Sequence, residues 1–289
     1  MHCLVLPGSF QNRPVMNILN KIVNHKSREI RERKSLYPCK FLEKSIFFKT
    51  APVSLGKNVL REDKSGIIAE FKTCSPSRGE INQYADVKSV TIGYIKAGAS
   101  ALSVLTDNKF FGGSFENLLT ARKYNNCPIL QKDFIIDEYQ VVEAKSSGAD
   151  AILLIAAILD KQRVLKLART AVGFGMEVLL EIHSYEELDM LNEHIQMVGV
   201  NNRDLRTFNT DINFSIGLAD KLPEQVIRIS ESGIYSVEDI IKLKRSGYNG
   251  FLIGENFMQT ADPGRTCREF IRLLYRSEKK LKGKNKLWN

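Results

Sequence analysis

The sequence lacks the features that mark membrane, secreted and metal-binding proteins. Its longest apolar run, "AILLIAAIL" at residues 151–159, falls well short of the roughly 18 residues that a membrane-spanning helix needs. The five cysteines are widely spaced and form no Cys-x-x-Cys pair, which argues against a disulfide framework and a zinc site and predicts reduced thiols. The first residues, "MHCLVLPGSFQNRP", have no basic segment before their apolar patch. We therefore expect no secretory signal and a cytoplasmic location.

The excess of positive charge lies in two short segments. The formal net charge is +9, of which residues 21–34 carry +4 and residues 276–289 carry +5. The rest of the chain is therefore neutral overall. We interpret both segments as solvated charged faces, and the alternative is that they contact a polyanion.

Short apolar runs along the chain predict eight buried strands. They are "GIIAEF" from Gly66, "ALSVL" from Ala101, "PIL" from Pro128, "AILLI" from Ala151, "EVLLEI" from Glu177, "MVGV" from Met197, "VIRIS" from Val226 and "FLIG" from Phe251. These runs do not alternate with polar residues, as expected of strands covered by helices on both faces. Helical patterns lie between them at residues 137–147, 161–174, 185–194 and 237–245. The alternation predicts an α/β fold, a closed (β/α)8 TIM barrel more than an open doubly wound sheet.

Three glycines mark a weak internal repeat that supports the barrel. Gly98, Gly148 and Gly247, in "KAGASALSVL", "SSGADAILLI" and "RSGYNGFLIG", each fall where a left-handed residue would end a helix just before a strand. We expect a single (β/α)8 domain over residues 1–289. In this domain, residues 1–60 form an N-terminal helical extension and residues 276–289 form a basic C-terminal tail.

Polar and ionisable residues stand where the predicted strands end, and in a (β/α)8 barrel these ends carry the active site. Taken singly, each residue has an ordinary alternative as a surface charge or a structural ion pair. Together, the lysines and glutamates would shift the pKa values of one another, as acid and base chemistry near neutral pH requires. For Lys132 we expect burial and neighbouring cations to lower the pKa. The positions are Glu70 and Lys72, residues 103–106, Lys132 and Asp133, Glu181, Asn201 and Arg203, residues 230–233, and Gly254.

Two glycine-containing turns follow the last two predicted strands and indicate a phosphate site. "SESGI" and "FLIGENF" each precede a helical segment, where backbone N–H groups can point at an anion. We expect Ser232, Gly233 and Gly254 to contribute to this site. The carboxylate of Glu255 would repel a phosphate dianion, so only its backbone N–H should face the ligand. The alternative for each loop is a plain turn.

Eight motifs, taken in order, closely resemble those of the indole-3-glycerol phosphate synthase family. They are "IIAEFKTCSPSRG", "ALSVLTDNKFFGGS", "PILQKDFIID", "GADAILLIAAIL", "LLEIH", "GVNNRDL", "ISESGI" and "LIGENFM". The resemblance covers about residues 18–258. Residues 1–15 match nothing in this family, and Met16 is an alternative start. Arg78 stands where lysine is frequent in the family.

The resemblance implies an enzyme that closes the indole ring. The reaction converts 1-(2-carboxyphenylamino)-1-deoxyribulose 5-phosphate to indole-3-glycerol phosphate, carbon dioxide and water, with no metal or organic cofactor. In this reaction Lys132 would be the general acid that protonates the ribulose carbonyl oxygen. Glu181 would be its acid/base partner in the later dehydration, with Glu70 close by.

The resemblance also implies a set of binding residues. Lys72 would pair with the substrate anions, and Asn201 with Arg203 would hold the sugar hydroxyls and the geometry of the site. The carboxylate and phosphate ends would be lined by Ser75, Pro76, Ser232, Gly233, Ile253, Gly254 and Glu255. The aromatic ring would be walled by Phe111, Phe134, Leu153 and Leu205, although large apolar residues near strand ends are often simply core.

Two other functions are weaker alternatives. A phosphoribosylanthranilate isomerase would share the phosphate loops, but it is expected to use a cysteine base on the first strand, where this chain has "AEFK". A non-catalytic polyanion-binding protein would use the basic ends. Apart from Tyr275 and Trp288, neither end interleaves aromatic residues with its lysines, which argues against nucleic acid. We expect a monomer, or at most a weak dimer, with no membrane partner.

Overall fold

The computed structural model describes residues 16–205 and 207–285, with side chains from Ile18 to Leu281. The segment on which the absence of a secretory signal was predicted lies outside these residues, as do the last four residues of the basic C-terminal segment. Within the described part, no helix is long and apolar enough to cross a membrane.

Eight parallel strands close into a barrel in which neighbours in the chain are neighbours in space, the last strand pairing with the first. A two-stranded hairpin, Cys74–Ser75 with Gly79–Glu80, follows the first strand. The barrel strands are β1 Ile67–Phe71, β2 Ala101–Leu105, β3 Ile129–Lys132, β4 Ala151–Ile155, β5 Glu177–Ile182, β6 Met197–Asn201, β7 Ile227–Glu231 and β8 Gly250–Ile253.

Helices surround the barrel and form the segment before its first strand. Short 3₁₀ turns at Ala156–Ile158, Glu186–Met190 and Ala219–Lys221 complete the connections. The helices are α1 Met16–Leu36, α2 Cys39–Leu42, α3 Leu55–Val59, α4 Val87–Ala97, α5 Asn108–Phe111, α6 Phe115–Tyr124, α7 Glu138–Ser146, α8 Lys161–Gly173, α9 Asn213–Leu218, α10 Val237–Arg245, α11 Glu255–Met258 and α12 Pro263–Asn285.

The predicted (β/α)8 barrel is confirmed, and the reason lies in the strand sequences. Successive residues of a strand point to opposite faces. In β1, Ile68 packs inside the barrel with Leu130 and Leu153, whereas Ile67 and Ala69 pack outward against the helices. Because both faces are buried, most residues on each face are apolar, which explains the nearly continuous apolar runs.

The glycines of the internal repeat have the predicted conformation. Gly98, Gly148 and Gly247 have φ values of 103°, 83° and 89°, in the left-handed region that L-residues rarely adopt. Helix starts are also specified locally. The Asp137 and Ser236 side chains each close a capping box at the start of α7 and α10, so each chain segment turns into its helix directly after the strand-end loop.

The helix predicted over residues 185–194 is wrong. Only Glu186–Met190 is helical, and as a 3₁₀ turn. Leu191 already has an extended conformation, with φ −61° and ψ 141°. The Asn192 side chain then bonds the Met190 carbonyl and the His194 N–H, and such local side-chain bonds compete with helix continuation.

The two basic segments are both largely helical. Residues 276–285 continue α12, and residues 21–34 belong to α1. The interpretation of residues 21–34 as a solvated face is wrong at Lys26, whose side chain is 2% exposed. The prediction of reduced thiols holds for Cys39, Cys127 and Cys267, but Cys74 is disulfide-bonded, so it is wrong there.

Candidate active site

The C-terminal ends of the strands open into a cleft. Helix α1 and the loop after β1 form part of its walls. Most of the predicted site residues lie together in this cleft, although they are spread over much of the chain: Glu70, Lys72, Ser75, Pro76, Phe111, Lys132, Phe134, Leu153, Glu181, Asn201, Arg203, Leu205, Ser232 and Glu255.

The remaining residues with a predicted catalytic or binding role, Gly233, Ile253 and Gly254, line an adjoining recess. The strand-end positions Ser103, Val104, Thr106 and Ser230 line neither the cleft nor the recess and are buried, so the prediction is wrong for them. The recess lies at the ends of β7 and β8 and shares several walls with the cleft. Ser232 and Gly233 both have positive φ values, 66° and 71°, so the chain turns sharply beside the recess. The shared residues are Glu70, Lys72, Arg203, Ser232, Leu252 and Glu255.

At the floor of the cleft, one lysine lies between two carboxyl groups. Lys132 Nζ is 2.9 Å from Glu181 Oε2 and 3.4 Å from Glu231 Oε2. The three side chains come from the ends of β3, β5 and β7, and all are largely buried. Glycine at position 199 of β6 leaves room for the Glu231 carboxyl group, because a Cβ there would lie 2.0 Å from Glu231 Oε1.

The two carboxyl groups are driven to different protonation states. Lys132, His183 and Asn201 stabilise the charged form of Glu181 and lower its pKa to about 2. Burial and the neighbouring Glu181 and Glu70 carboxylates raise the pKa of Glu231 to about 8. Carboxyl groups with separated pKa values are a recurrent feature of acid and base catalysis.

The pKa of Lys132 is raised, not lowered as the sequence analysis predicted. Burial alone would lower it, but the carboxylates of Glu181, Glu231 and Glu70 more than compensate. That expectation assumed that cations would lie nearest to Lys132, whereas its nearest ionisable neighbours are the carboxyl groups of Glu181 and Glu231. Lys132 is therefore held as an ammonium ion, with its protons available to a bound molecule.

Glu181 is positioned by a second group of contacts. Its Oε1 accepts a hydrogen bond of 3.1 Å from Asn201 Nδ2, and Asn201 Oδ1 accepts one of 3.0 Å from the Arg203 backbone N–H. His183 Nε2 lies 3.3 Å from the same Glu181 oxygen, although neither ring nitrogen makes a hydrogen bond within the described part of the chain. Asn201 thus contacts the carboxylate directly.

A second lysine lies beside the recess. Lys72 Nζ is 2.7 Å from Glu70 Oε1, and both side chains line the cleft and the recess. Glu70 approaches the turn after β8 so closely that a Cβ at Gly254 would lie 2.5 Å from Glu70 Oε1. Glycine at position 254 therefore leaves room for this ion pair.

Arginine side chains surround the carboxylate of Glu255 at the outer edge of the recess. Arg203 Nη2 is 3.1 Å from Glu255 Oε2, and Arg78 Nε is 3.0 Å from Glu255 Oε1. Arg203 also donates to Ser77 Oγ at 3.3 Å and to the Phe208 carbonyl at 3.1 Å. These contacts join the loop after β1 to the loops after β6 and β8.

The opposite side of the cleft is apolar. The rings of Phe111 and Phe134 pack with centroids 5.6 Å apart, and Leu153 and Leu205 line the same cleft. Helix α1 adds Ile18, Leu19 and Ile22. An aromatic ring could therefore bind between strand-end side chains and the N-terminal helix.

Several cleft residues were given no role from the sequence. Glu231 was among the strand-end positions 230–233 but received none, although its place two residues after the buried Ile229 would have indicated an inward side chain. His183 stands two residues after Glu181, so the same alternation would have placed its side chain on the side of Glu181. The α1 residues carried no signal, because nothing local shows which loop a distant helix covers. Among the described residues, no group of three His, Cys, Asp or Glu side chains could hold a metal ion.

The fold and the site together define a (β/α)8 barrel enzyme with a buried lysine–carboxylate centre beside a recess at the ends of β7 and β8. The family model described as indole-3-glycerol phosphate synthase matches residues 19–270. The chain belongs to the indole-3-glycerol phosphate synthase family, a family of carboxy-lyases of tryptophan biosynthesis that act on a phosphorylated small molecule.

Relatives with this name cover most of the chain. The indole-3-glycerol phosphate synthase of Bacteroides thetaiotaomicron is 48% identical over 258 residues, 89% of this chain and 99% of its own length. That of Carboxydothermus hydrogenoformans is 43% identical over 262 residues, 88% of this chain and 99% of its own length. That of Bacillus cereus strain B4264 is 43% identical over 249 residues, 84% of this chain and 94% of its own.

Solved structures of low sequence identity share the fold. The 3-hexulose-6-phosphate synthase of Salmonella typhimurium has a TM-score of 0.57 at 14% identity, and the alignment covers 73% of this chain and 98% of that one. The thiamine phosphate pyrophosphorylase of Pyrococcus furiosus has a TM-score of 0.55 at 13% identity, covering 76% and 98%. These similarities show the barrel fold alone.

Proposed function

We propose that this protein closes the indole ring of 1-(2-carboxyphenylamino)-1-deoxyribulose 5-phosphate, giving indole-3-glycerol phosphate, carbon dioxide and water. The observation that carries the proposal is the position of Lys132. Its ammonium group lies between Glu181 and Glu231, with an apolar wall on one side and the recess at β7 and β8 on the other. The apolar wall, Lys132 and the recess therefore follow one another along the cleft in the same order as the aromatic ring, the ketone and the phosphate in the substrate.

Lys132 acts in the first step. The ring carbon that bears the carboxylate attacks the ketone carbon, and a new carbon–carbon bond forms while Lys132 gives a proton to the ketone oxygen. The bond to the carboxylate then breaks, carbon dioxide leaves, and its electron pair restores the aromatic ring. A positioned acid of this kind typically contributes ~10²–10⁴-fold to the rate.

Glu181 acts in the dehydration. The new hydroxyl takes up a proton and leaves as water, and a proton is lost from the adjacent ring CH₂ carbon to complete the indole. Glu181, which its low pKa keeps as a carboxylate, takes up the CH₂ proton and gives it to the leaving hydroxyl, and Asn201 holds its carboxylate in place. Overall, one proton is consumed when the carboxylate becomes neutral carbon dioxide. With its pKa of about 8, Glu231 holds a proton next to Lys132 at neutral pH and can return one to it.

The two anionic ends of the substrate bind at the loops. Lys72, with Ser75 and Pro76 nearby, faces the substrate carboxylate, and Glu70 orients Lys72 through their ion pair. The phosphate occupies the recess, which is lined by Arg203 and by the turns that contain Ser232, Gly233, Ile253, Gly254 and Glu255. Glycine in these turns lets an anion approach the backbone N–H groups.

The aromatic end binds between Phe111, Phe134, Leu153 and Leu205. We also propose that the whole chain works as one (β/α)8 domain, with residues 1–60 as an extension that supplies α1 to the pocket. The monomeric state and the cytoplasmic location stay predictions from the sequence.

The test is an assay of the purified full-length protein with the carboxyphenylamino-deoxyribulose phosphate. The indole product, measured by its fluorescence, and carbon dioxide should form in equal molar amounts. Glu181→Gln should lower kcat by ~10²–10⁴-fold and leave KM nearly unchanged. Glu186→Gln, at an exposed position of the same connection, is the matched control and should behave as wild type. Consumption of substrate without carbon dioxide would exclude the proposed reaction.

A further inference from the structure

One face of α1 is directed at the barrel. Ile18, Ile22, Lys26 and Ile30 are spaced four residues apart and therefore share a helix face. Ile18 and Ile22 line the cleft, and Ile30 is buried. Lys26 is an unusual member of this series, since its side chain is 2% exposed and lysine is almost never fully buried without partners.

Lys26 pairs with one carboxylate of its own helix and with two carboxylates at the ends of neighbouring strands. Its Nζ lies 3.0 Å from Asp107 Oδ2, 3.0 Å from Asp133 Oδ1 and 2.9 Å from Glu29 Oε2. Asp107 follows β2, Asp133 follows β3 directly after Lys132, and both are buried. One cation therefore joins the N-terminal helix to the strand end that carries the proposed acid.

The same carboxylates also fix the apolar wall of the cleft. Asp107 Oδ1 accepts a hydrogen bond of 2.8 Å from the Phe110 N–H, at the start of the α5 helix that carries Phe111. Asp133 Oδ1 accepts one of 2.7 Å from the Phe134 N–H. The rings of Phe111 and Phe134 pack against each other, so both halves of this wall are tied to carboxylates that Lys26 holds.

The other ion pairs of α1 lie further from the cleft. Arg33 bonds Glu143 at 2.6 Å, and Lys34 pairs with Asp137 at 2.9 Å with side chains 45% and 27% exposed. An exposed pair such as Lys34–Asp137 contributes little. A buried cation between two buried carboxylates is different, because removing it leaves charges that neither water nor another cation compensates.

We propose that Lys26 is a positioning residue for the aromatic end of the substrate. It holds α1 over the cleft and, through Asp107 and Asp133, fixes the wall made by Phe111 and Phe134. This inference rests on the proposed function, since it assumes that the aromatic ring binds at this wall. It predicts that loss of Lys26 weakens binding of the ring end and leaves the phosphate end intact.

The experiment compares two ligands by calorimetry. The first is the substrate with its ketone reduced to an alcohol, which has ring, carboxylate and phosphate but cannot close the ring. The second is inorganic phosphate, which reaches only the recess. Lys26→Met should weaken binding of the reduced substrate at least tenfold and change that of phosphate less than twofold. KM should rise in the same proportion as this dissociation constant, with a smaller change in kcat.

Two further proteins make the result interpretable. Lys34→Met removes an ion pair from the same helix and should bind both ligands as wild type. If Lys26→Met does not fold, the combination of Lys26→Met with Asp107→Asn and Asp133→Asn removes all three buried charges and keeps side-chain oxygens for the Phe110 and Phe134 N–H groups. This variant should show the same selective loss.

Unchanged affinity for the reduced substrate in Lys26→Met, or in the triple variant if that is the one that folds, would overturn the proposal. An equal loss for phosphate and for the reduced substrate would also overturn it, because it would show general disruption. Failure of the proposed function has a different signature: the wild-type protein would bind phosphate but would not bind the reduced substrate more tightly than phosphate.

Discussion

The pKa of a single residue depends on which charged groups lie nearest to it, and the sequence does not show these distances. Lys132 was correctly expected in the cleft, because a strand end in a barrel of this type faces the site. The predicted direction of its pKa shift was wrong, because Glu181, Glu231 and Glu70, rather than the expected cations, dominate its surroundings. The sequence shows how many ionisable residues reach the rim, whereas their pairing depends on distances of a few ångströms.

The raised pKa of Glu231 gives a prediction about stability. In the folded protein this pKa is about 8, against an ordinary value of 4.5. Between these values the folded state binds more protons than the unfolded state, so the free energy of unfolding falls as pH rises through this window. The contribution of Glu231 is fully present below pH 4.5 and lost above about pH 8.

Glu231→Gln should therefore lack this fall. The free energy of unfolding, measured in urea at two pH values about two units apart inside the window, should drop by about 2–3 kcal/mol more in the wild type than in the variant. Glu238→Gln, at an exposed position of α10, should keep the wild-type slope. Equal slopes in wild type and Glu231→Gln would mean that Glu231 is ionised at neutral pH.

Elements were predicted well where one local pattern decides the structure. The β2, β4 and β5 strands agree with their apolar runs residue for residue, because strands buried on both faces leave a continuous signal. The connection at residues 185–194 failed, since its helical composition was overridden by local bonds of Asn192. The burial of Lys26 could not be predicted, because the carboxylates it meets are about 80 and 107 residues away in the sequence.

The turn after β7 provides a test at the scale of an element. Gly233 has φ +71°, and an added Cβ would lie 3.0 Å from the Thr210 Cβ. Valine there costs of the order of 1–3 kcal/mol in backbone strain and would shift the turn beside the recess. Gly233→Val should weaken inhibition by inorganic phosphate about tenfold or more.

The control for this turn is Gly173→Val, since no atom outside its own helix neighbourhood lies within 4 Å of an added Cβ at Gly173. That variant should retain the phosphate inhibition constant of the wild type. If Gly233→Val also retained it, the phosphate would have to bind outside the recess at β7 and β8.

In the whole molecule, the residues that stabilise the barrel and the residues proposed for the reaction occupy different parts of the fold. The interior of the barrel and its helix-covered outer face are largely apolar, while ionisable side chains from β1, β3, β5 and β7 meet at one end. The sequence predicted this division, because strand order and chain direction place all strand ends on one face. It could not predict that α1 completes the cleft, since the docking of an extension depends on contacts with distant loops.

The central claim is that the Lys132 ammonium group supplies the proton for ring closure, and the most direct measurement is the kcat of Lys132→Met at saturating substrate. We expect a loss of ~10²–10⁴-fold, with an unchanged circular dichroism spectrum. Lys161→Met, which removes an exposed ion pair with Asp189, should keep the wild-type kcat. A Lys132→Met protein that turns over at near the wild-type rate would contradict the account.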